Sequence, residues 1–266
     1  MDAELQNTDR VREAVAAGRA KADAWEALRR FTDARIALGR AGGSLRTEAL
    51  LDFRLAHAEA RDAVYTSFDP DALVKELAAA KIRSVRLTSA ATNKADYLAN
   101  PALGRTLSDA SRKALSAMRY SAAPPDLCII VSDGLSARAA QLHAVETVVP
   151  LTRKLADVGW SLAPVFVVPF ARVKIQDEVG ERLRARITLM FLGERPGLDS
   201  PDSLGAYFTY SPNSRSTDAD RNCVSNIRHA GLAPTAAAGV LFRMLVLSRR
   251  LSASGVAVKD TEAQLK

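Results

Sequence analysis

Apolar positions recur along this chain in two rhythms, and the change between them organises the reading. In the first part they follow helical spacing. Val11, Val15, Trp25, Leu28, Phe31, Ile36 and Leu38 fall at roughly helical intervals among Ala, Arg and Glu, which predicts helix over the first 45 or so residues. The Gly-Arg-Ala-Gly-Gly stretch 39–43 ends it in an exposed turn. Thr47, Leu50, Leu51, Phe53, Leu55, Ala58 and Val64 predict a second helix, with Thr47 as N-cap and Glu48 in the first turn. Asp69 and Pro70 make a turn that starts a third. Residues 82–87 alternate and predict a short strand; Asn100-Pro101 restarts a helix running to about Met118.

A breaker cluster at 121–125, Ser-Ala-Ala-Pro-Pro, separates this from a different texture. Residues 127–131 form a continuous apolar run, as a strand covered on both faces requires. A helix through His143 follows, with a second between Val149 and Val158. Further buried-strand patterns at 164–168 and 187–192 flank a short helix at 178–184. Three such strands joined by helical crossovers predict a parallel sheet with helices on both faces. Residues 206–211 predict an edge strand. A closing helix spans 234–252, with Val240, Leu241, Met244, Leu247 and Leu251 on one face and Gly255 as its stop. The expected fold is therefore α/β. Residues 111–266 form a Rossmann-like, mostly parallel sheet with flanking helices, and a mainly helical region, residues 1–110, precedes it as the natural subunit-contact segment.

Composition narrows the function. The chain's 266 residues are 48% hydrophobic and 25% charged, ordinary globular usage, with a formal net charge of +7. The cations are scattered rather than clustered, which argues against a nucleic-acid partner. No secretory pattern opens the chain and no apolar run reaches membrane-spanning length, so a cytoplasmic protein without membrane association is expected. Cys128 lies in a buried-strand pattern and Cys223 in a polar stretch, which suggests no disulfide framework. His57, His143 and His229 are spread too widely to predict a metal site. Walker, nucleophile-elbow and paired-carboxylate motifs are missing from the sequence, so the chain is poorly equipped as a stand-alone enzyme.

In open α/β sheets, ligands bind outside the carboxyl ends of the strands. Three loops are expected there. Residues 132–136 lead into a helix N-terminus, where Ser132, Asp133 or Ser136 either caps the helix or leaves its N–H groups for an anion. Arg172 and Lys174 follow the next strand, either paired with Asp177 and Glu178 or lining an anionic ligand's approach. Glu194 and Arg195 follow the third, held by Pro196 and Gly197, and read as a functional loop. A fourth stretch, 218–228, concentrates amide, thiol, hydroxyl and guanidinium groups around Cys223. It suits an amide-rich ligand or a partner surface better than a Cys–His nucleophile, for which no base is placed.

Six stretches together resemble the light chain of ethanolamine ammonia-lyase: residues 37–57, 131–136, 171–175, 193–198, 203–212 and 220–227. Their order and density, from about residue 25 to the last helix, carry the resemblance. It implies the small subunit of an enzyme that converts ethanolamine to acetaldehyde and ammonia by adenosylcobalamin radical chemistry, inactive alone. The large subunit would bind substrate while this chain closes over the cobalamin, the pair assembling into a higher hetero-oligomer. The resemblance puts Val173, Glu194 and Cys223 against the cofactor, with Arg172, Lys174 and Arg195 as further phosphate or subunit contacts; it implies no catalytic or metal-binding residue in this chain. A bacterial microcompartment is the alternative location, although the short N-terminus speaks against a targeting segment. Two rival readings remain: a non-catalytic α/β protein binding a small molecule or phosphate, and a purely structural subunit.

Overall fold

The structure, a computed structural model, describes residues 25–32, 34–40, 42–118 and 123–259. The chain forms two compact units, Met1–Glu59 and Ala60–Lys266.

Among the described residues before 47, where a long helix was expected, a 3-10 helix forms at Glu26–Phe31 and no α-helix follows it. Ala37, Gly39 and Gly42 take positive φ values of 53°, 65° and 61°, a left-handed conformation that no right-handed helix accommodates. Val11 and Val15 lie outside the described residues. Helix α1, Thr47–Tyr65, forms as the spacing predicts, but Thr47 is its first helical residue rather than its cap. The first helical hydrogen bond runs from the Leu50 N–H to the Arg46 carbonyl at 3.0 Å, which puts Arg46 at the cap position. Trp25, Phe31, Leu51 and Leu55 are exposed.

The second unit is an α/β layer structure. Its six-stranded sheet has the order β1-β3-β2-β4-β5-β6, made of β1 Ser84–Arg86, β2 Leu127–Ser132, β3 Val165–Val167, β4 Ile187–Gly193, β5 Leu204–Tyr210 and β6 Arg221–Ile227. The first four run parallel, while β5 is antiparallel to both β4 and β6. Residues 206–211 were expected to form an edge strand; instead β5 is interior and β6, which polar composition disguises, takes the edge. The segment 84–86 joins the sheet beside β3, so part of the expected helical region belongs to the sheet.

Strand alternation separates two cores. Leu127, Ile129, Val131, Leu189, Phe191, Ala206 and Phe208 point to one face. That face is covered by α2 (Pro70–Ala79), α5 (Ala137–Asp157) and α7 (Pro234–Leu251), with α5 packed against α7. Cys128, Ile130, Phe166 and Met190 point to the other face, under α4 (Asp109–Ala117) and α6 (Ile175–Leu183). The helix start expected at Asp69 and Pro70 forms. Asp69 accepts from the Asp71 and Ala72 N–H groups at 3.0 and 2.9 Å, with Pro70 at the first helical position of α2.

Three helical boundaries differ from the periodicity. The region 100–118 does not form one helix: α3 is Lys94–Ala99, a 3-10 turn follows at Leu103–Arg105, and α4 begins only at Asp109, capped by Ser108. The backbone between them pairs with other segments instead: the Ala90 N–H binds the Thr106 carbonyl, and the Leu107 N–H binds Glu178 on α6. The two helices expected around Pro150 are one, α5, because burial of its inward face on both sides of the proline outweighs a single missing hydrogen bond. Helix α7 ends at Ser252 in a left-handed conformation, ahead of Gly255.

Candidate functional site

The carboxyl ends of β2, β3, β4 and β6 lie at one end of the sheet, together with the start of β5, as their directions require. All four loops singled out from the sequence either leave a strand there or form the edge strand itself.

Loop 133–136 and the end of β4 interlock through two glycines. A Cβ on Gly193 would lie 2.0 Å from the Ser136 carbonyl oxygen and 2.4 Å from that of Asp133. One on Gly134, at φ 54°, would lie 2.3 Å from the Gly193 carbonyl oxygen. The Leu135 N–H donates to that carbonyl at 3.0 Å, so backbone packs on backbone here. Ser136 caps α5, accepting from the Ala139 N–H at 3.2 Å while its hydroxyl donates to the Pro201 carbonyl at 2.9 Å. The capping reading of this loop is therefore the observed one.

Asp133 is buried and accepts from the Phe170 N–H at 2.6 Å and from the Lys94 ammonium at 3.3 Å. Burial raises its pKa, and Lys94 and the Phe170 N–H oppose that rise. Phe170, at φ 56°, redirects the chain after β3. Arg172 then stacks on the Tyr97 ring, 4.5 Å from its centroid, and its backbone N–H binds the Gly104 carbonyl at 2.7 Å. The Arg172 Nε is buried without a hydrogen-bond partner. Val173 packs against the second core, as does Tyr207.

Lys174 pairs with Asp177 at 2.9 Å and donates to the carbonyls of Ser214, at 3.1 Å, and Ser216. Glu178 takes Arg112 at 2.7 Å instead of Arg172 or Lys174. Burial would raise the Glu178 pKa, but Arg112, the Leu107 N–H and Arg182 together hold it below the usual value.

A polar cluster centres on Glu194. One carboxylate oxygen accepts from the Ser203 hydroxyl at 2.5 Å and the Asn226 N–H at 3.3 Å; the other accepts from the Ser225 hydroxyl at 2.6 Å. The Glu194 N–H in turn donates to the Ser203 carbonyl at 2.9 Å. Glu194 makes no ion pair with its neighbour Arg195, which is exposed and bonds to no described residue.

A β-bulge creates this arrangement. Ala206 pairs with Val224 but Leu204 pairs with Ile227, so β6 carries one extra residue opposite Gly205. Asn226 absorbs the bend at φ 59°. The bulge lets Val224 and Ile227 both reach the first core while the Ser225 hydroxyl and Asn226 N–H are aimed at Glu194. Gly205 leaves the necessary room, because a Cβ there would lie 2.8 Å from both a Glu194 oxygen and the Tyr207 ring.

Cys223 lies opposite Tyr207 in the strand register, on the same face. Burial of its sulfur and the nearby Glu194 charge push the thiol up to about 11, with a hydrogen bond from Tyr207 acting in the other direction. Burial, Cys223 and Glu194 likewise raise the Tyr207 phenol. Cys223 is thus a neutral thiol at physiological pH and a poor nucleophile, although the residue is exposed. At pH 8 its thiolate fraction is about 90-fold below that of a cysteine at its ordinary value of 9.0. Alkylation by iodoacetamide is expected to be slow at pH 8 and to accelerate about tenfold per pH unit up to its pKa. A rate at pH 8 equal to that of free cysteine would contradict the assignment. Mass spectrometry distinguishes Cys223 from the fully buried Cys128.

The fold thus gathers Glu194 and the Cys223 strand around one surface, with Val173 on the core beneath it, and turns Lys174 toward loop 214–216. Sequence reasoning placed Ser225 and Asn226 within the polar stretch 218–228 but gave no individual role to them or to Ser203, Gly205 and Tyr207. Their common signal is the strand pairing, which a polar edge strand hides.

Residues 22–259 match the family described as ethanolamine ammonia-lyase light chain. Among curated relatives, the ethanolamine ammonia-lyase small subunit of Pseudomonas fluorescens is 49% identical over 245 residues, covering 91% of this chain and 88% of its own. That of Ralstonia nicotianae is 48% identical over 239 residues, covering 89% and 88%, and that of Xanthomonas campestris is 49% identical, covering 90% and 88%.

Proposed function

The chain belongs to the ethanolamine ammonia-lyase light-chain family, and from that premise we propose that it forms one wall of an adenosylcobalamin site shared with a large subunit that binds ethanolamine. The observation that carries this reading is the Glu194 cluster at the carboxyl end of the sheet. An ionised carboxylate offers about four acceptor sites. Ser203, Ser225 and Asn226 occupy three, and the Tyr207 phenol approaches the same carboxylate, which orients the group; an outside amide donor would share it with that phenol. Cobalamin's rim of amide side arms supplies such donors. The donor set therefore fits the cofactor, and the cleared space over Gly205 lets the carboxylate and Tyr207 sit together at the surface.

Within this reading Glu194 receives an amide N–H, and the neutral Cys223 thiol and Val173 give soft, uncharged contact. Of the three cations, Arg195 has a guanidinium with no partner among the described residues, so it is assigned to the phosphate of the nucleotide tail. Arg172 and Lys174 act by holding the loop that carries Val173. When bound, adenosylcobalamin would supply the radical chemistry that converts ethanolamine to acetaldehyde and ammonia. This chain's own part is to orient the cofactor and exclude water from one side of it.

The large-subunit partnership draws support from the first unit, where exposed Trp25, Phe31, Leu51 and Leu55 are unusual for a surface in contact with water. Among the described residues, no helix is long and apolar enough to cross a membrane. The test is reconstitution. Large subunit and this chain, co-expressed, should deaminate ethanolamine only when adenosylcobalamin is added, and each alone should be inactive. Full activity of the large subunit without this chain would overturn the proposal, as would activity independent of adenosylcobalamin.

A further inference from the structure

Away from the Glu194 cluster, the fold brings together two of the chain's three histidines. His143 on α5 and His229 in the loop after β6 stand edge to face, with ring centroids 5.2 Å apart. Glu146, one turn along from His143, places a carboxylate oxygen 3.2 Å from the His229 Nε2. A ring nitrogen of His143, a Glu146 oxygen and a ring nitrogen of His229 all lie within 4.8 Å of one another.

We propose that His143, Glu146 and His229 bind a single zinc-class divalent cation, with Asp202 fixing the buried histidine from behind. Two observations carry this beyond a chance cluster. First, His143 is 1% exposed, yet its Nδ1 has no hydrogen-bond partner. A buried imidazole nitrogen left unpaired is costly and calls for a ligand. Second, the other ring nitrogen, Nε2, is held by the Asp202 carboxylate at 2.9 Å. With that carboxylate accepting the Nε2 proton, Nδ1 keeps its lone pair free. This is the carboxylate–histidine arrangement that fixes tautomer and ring orientation behind a metal ligand.

The ligand chemistry suits zinc. Two imidazoles and one carboxylate form a borderline donor set, as in sites with three protein ligands and an open fourth position. Ligand atoms about 2.0–2.1 Å from a tetrahedral zinc stand about 3.4 Å apart. The His229–Glu146 separation of 3.2 Å is close to that already. The remaining closure falls on these same two side chains, which are exposed and free to adjust. Entry is open, because Glu146 and His229 line a surface groove of about 670 Å³.

The cation would join α5 to the loop after β6 and, through Asp202, to the loop after β4. The loop after β4 also carries Glu194, and the loop after β6 follows the strand that carries Asn226, so the site would stiffen the supports of that cluster without taking part in it.

The experiment is zinc titration of the full-length chain after chelator treatment, alone and co-purified with its large subunit, followed by X-ray absorption at the zinc edge. One zinc per chain is expected, with nitrogen and oxygen ligands only. Glu146→Gln and His229→Gln should each weaken binding at least tenfold, and together abolish it. Both positions are exposed, so the metal-free thermal transition should be unchanged. Asp202→Asn should weaken binding 10- to 100-fold, and Cys223→Ser should leave it unaltered. Failure to bind zinc at micromolar metal, zinc–sulfur scattering, or equal binding by the Glu146→Gln/His229→Gln double variant would each overturn the proposal. Ethanolamine deamination is not among these readouts, so failure here is distinguishable from failure of the cobalamin reading.

Discussion

Asp177→Ala is expected to lower the unfolding free energy by about 3–5 kcal/mol, the cost of stripping one partner from a buried ion pair. Asp177 and Arg221 form a two-pronged pair, with Nη1–Oδ1 at 2.8 Å and Nη2–Oδ2 at 2.7 Å. Their side chains are 1% and 4% exposed. Removing the carboxylate leaves the guanidinium buried with the Thr209 hydroxyl at 3.0 Å, the Gln176 amide oxygen at 3.1 Å and Asp218, itself in solvent. It also frees the Lys174 ammonium. The damage would extend to the site, because Arg221 opens β6 and anchors the strand that carries Cys223, Ser225 and Asn226. Urea unfolding at neutral pH measures the change. Arg86→Ala provides the contrast: its pair with Asp71 is 49% and 66% exposed, so a loss of under about 1 kcal/mol is expected. Equal effects of the two substitutions would contradict the assignment of Asp177 and Arg221 as a structural anchor.

Glu194→Ala is expected to weaken adenosylcobalamin binding by the assembled enzyme about 10- to 100-fold, or about 1.4–2.8 kcal/mol. That is the range for a hydrogen bond to a charged group. The effect on this subunit's own stability should be small, because Glu194 is half-buried and the exposed Ser225 hydroxyl can turn to water. Spectrophotometric titration with cobalamin gives the affinity, and thermal unfolding of the isolated subunit gives the stability. Unaltered affinity would remove Glu194 from the cofactor wall. A collapse in stability would recast its three hydrogen bonds as a purely structural clamp on the bulge.

Much of the architecture was legible along the chain, for identifiable reasons. β2 and β4 are buried on both faces, so continuous apolar runs announce them. α2 advertises its start through Asp69 and Pro70, and α7 shows an unbroken apolar stripe. What misled were segments whose conformation is set at a distance. Residues 26–46 have helical spacing but are bent by left-handed backbone at Ala37 and Gly39. Pro150 looks like a helix end, yet burial on both sides carries α5 through it. β6 reads as a polar loop because Val224 and Ile227 are its only buried apolar residues, and the bulge disturbs their alternation.

The candidate site divides the same way. By itself, the sequence determined which loops leave the carboxyl ends of strands and that Val173, Glu194 and Cys223 stand in three separate stretches, because strand periodicity is local and the resemblance lies in ordered motifs. Only the tertiary structure decided that Glu194 is oriented by Ser203, Ser225 and Asn226, that Lys174 is committed to Asp177, and that His143 meets His229. Those relations depend on strand register, on one extra residue in an edge strand and on close approaches that Gly134, Gly193 and Gly205 permit. A bulge or register shift changes which side chains meet without changing the identity of any residue, so it leaves no local mark on the sequence.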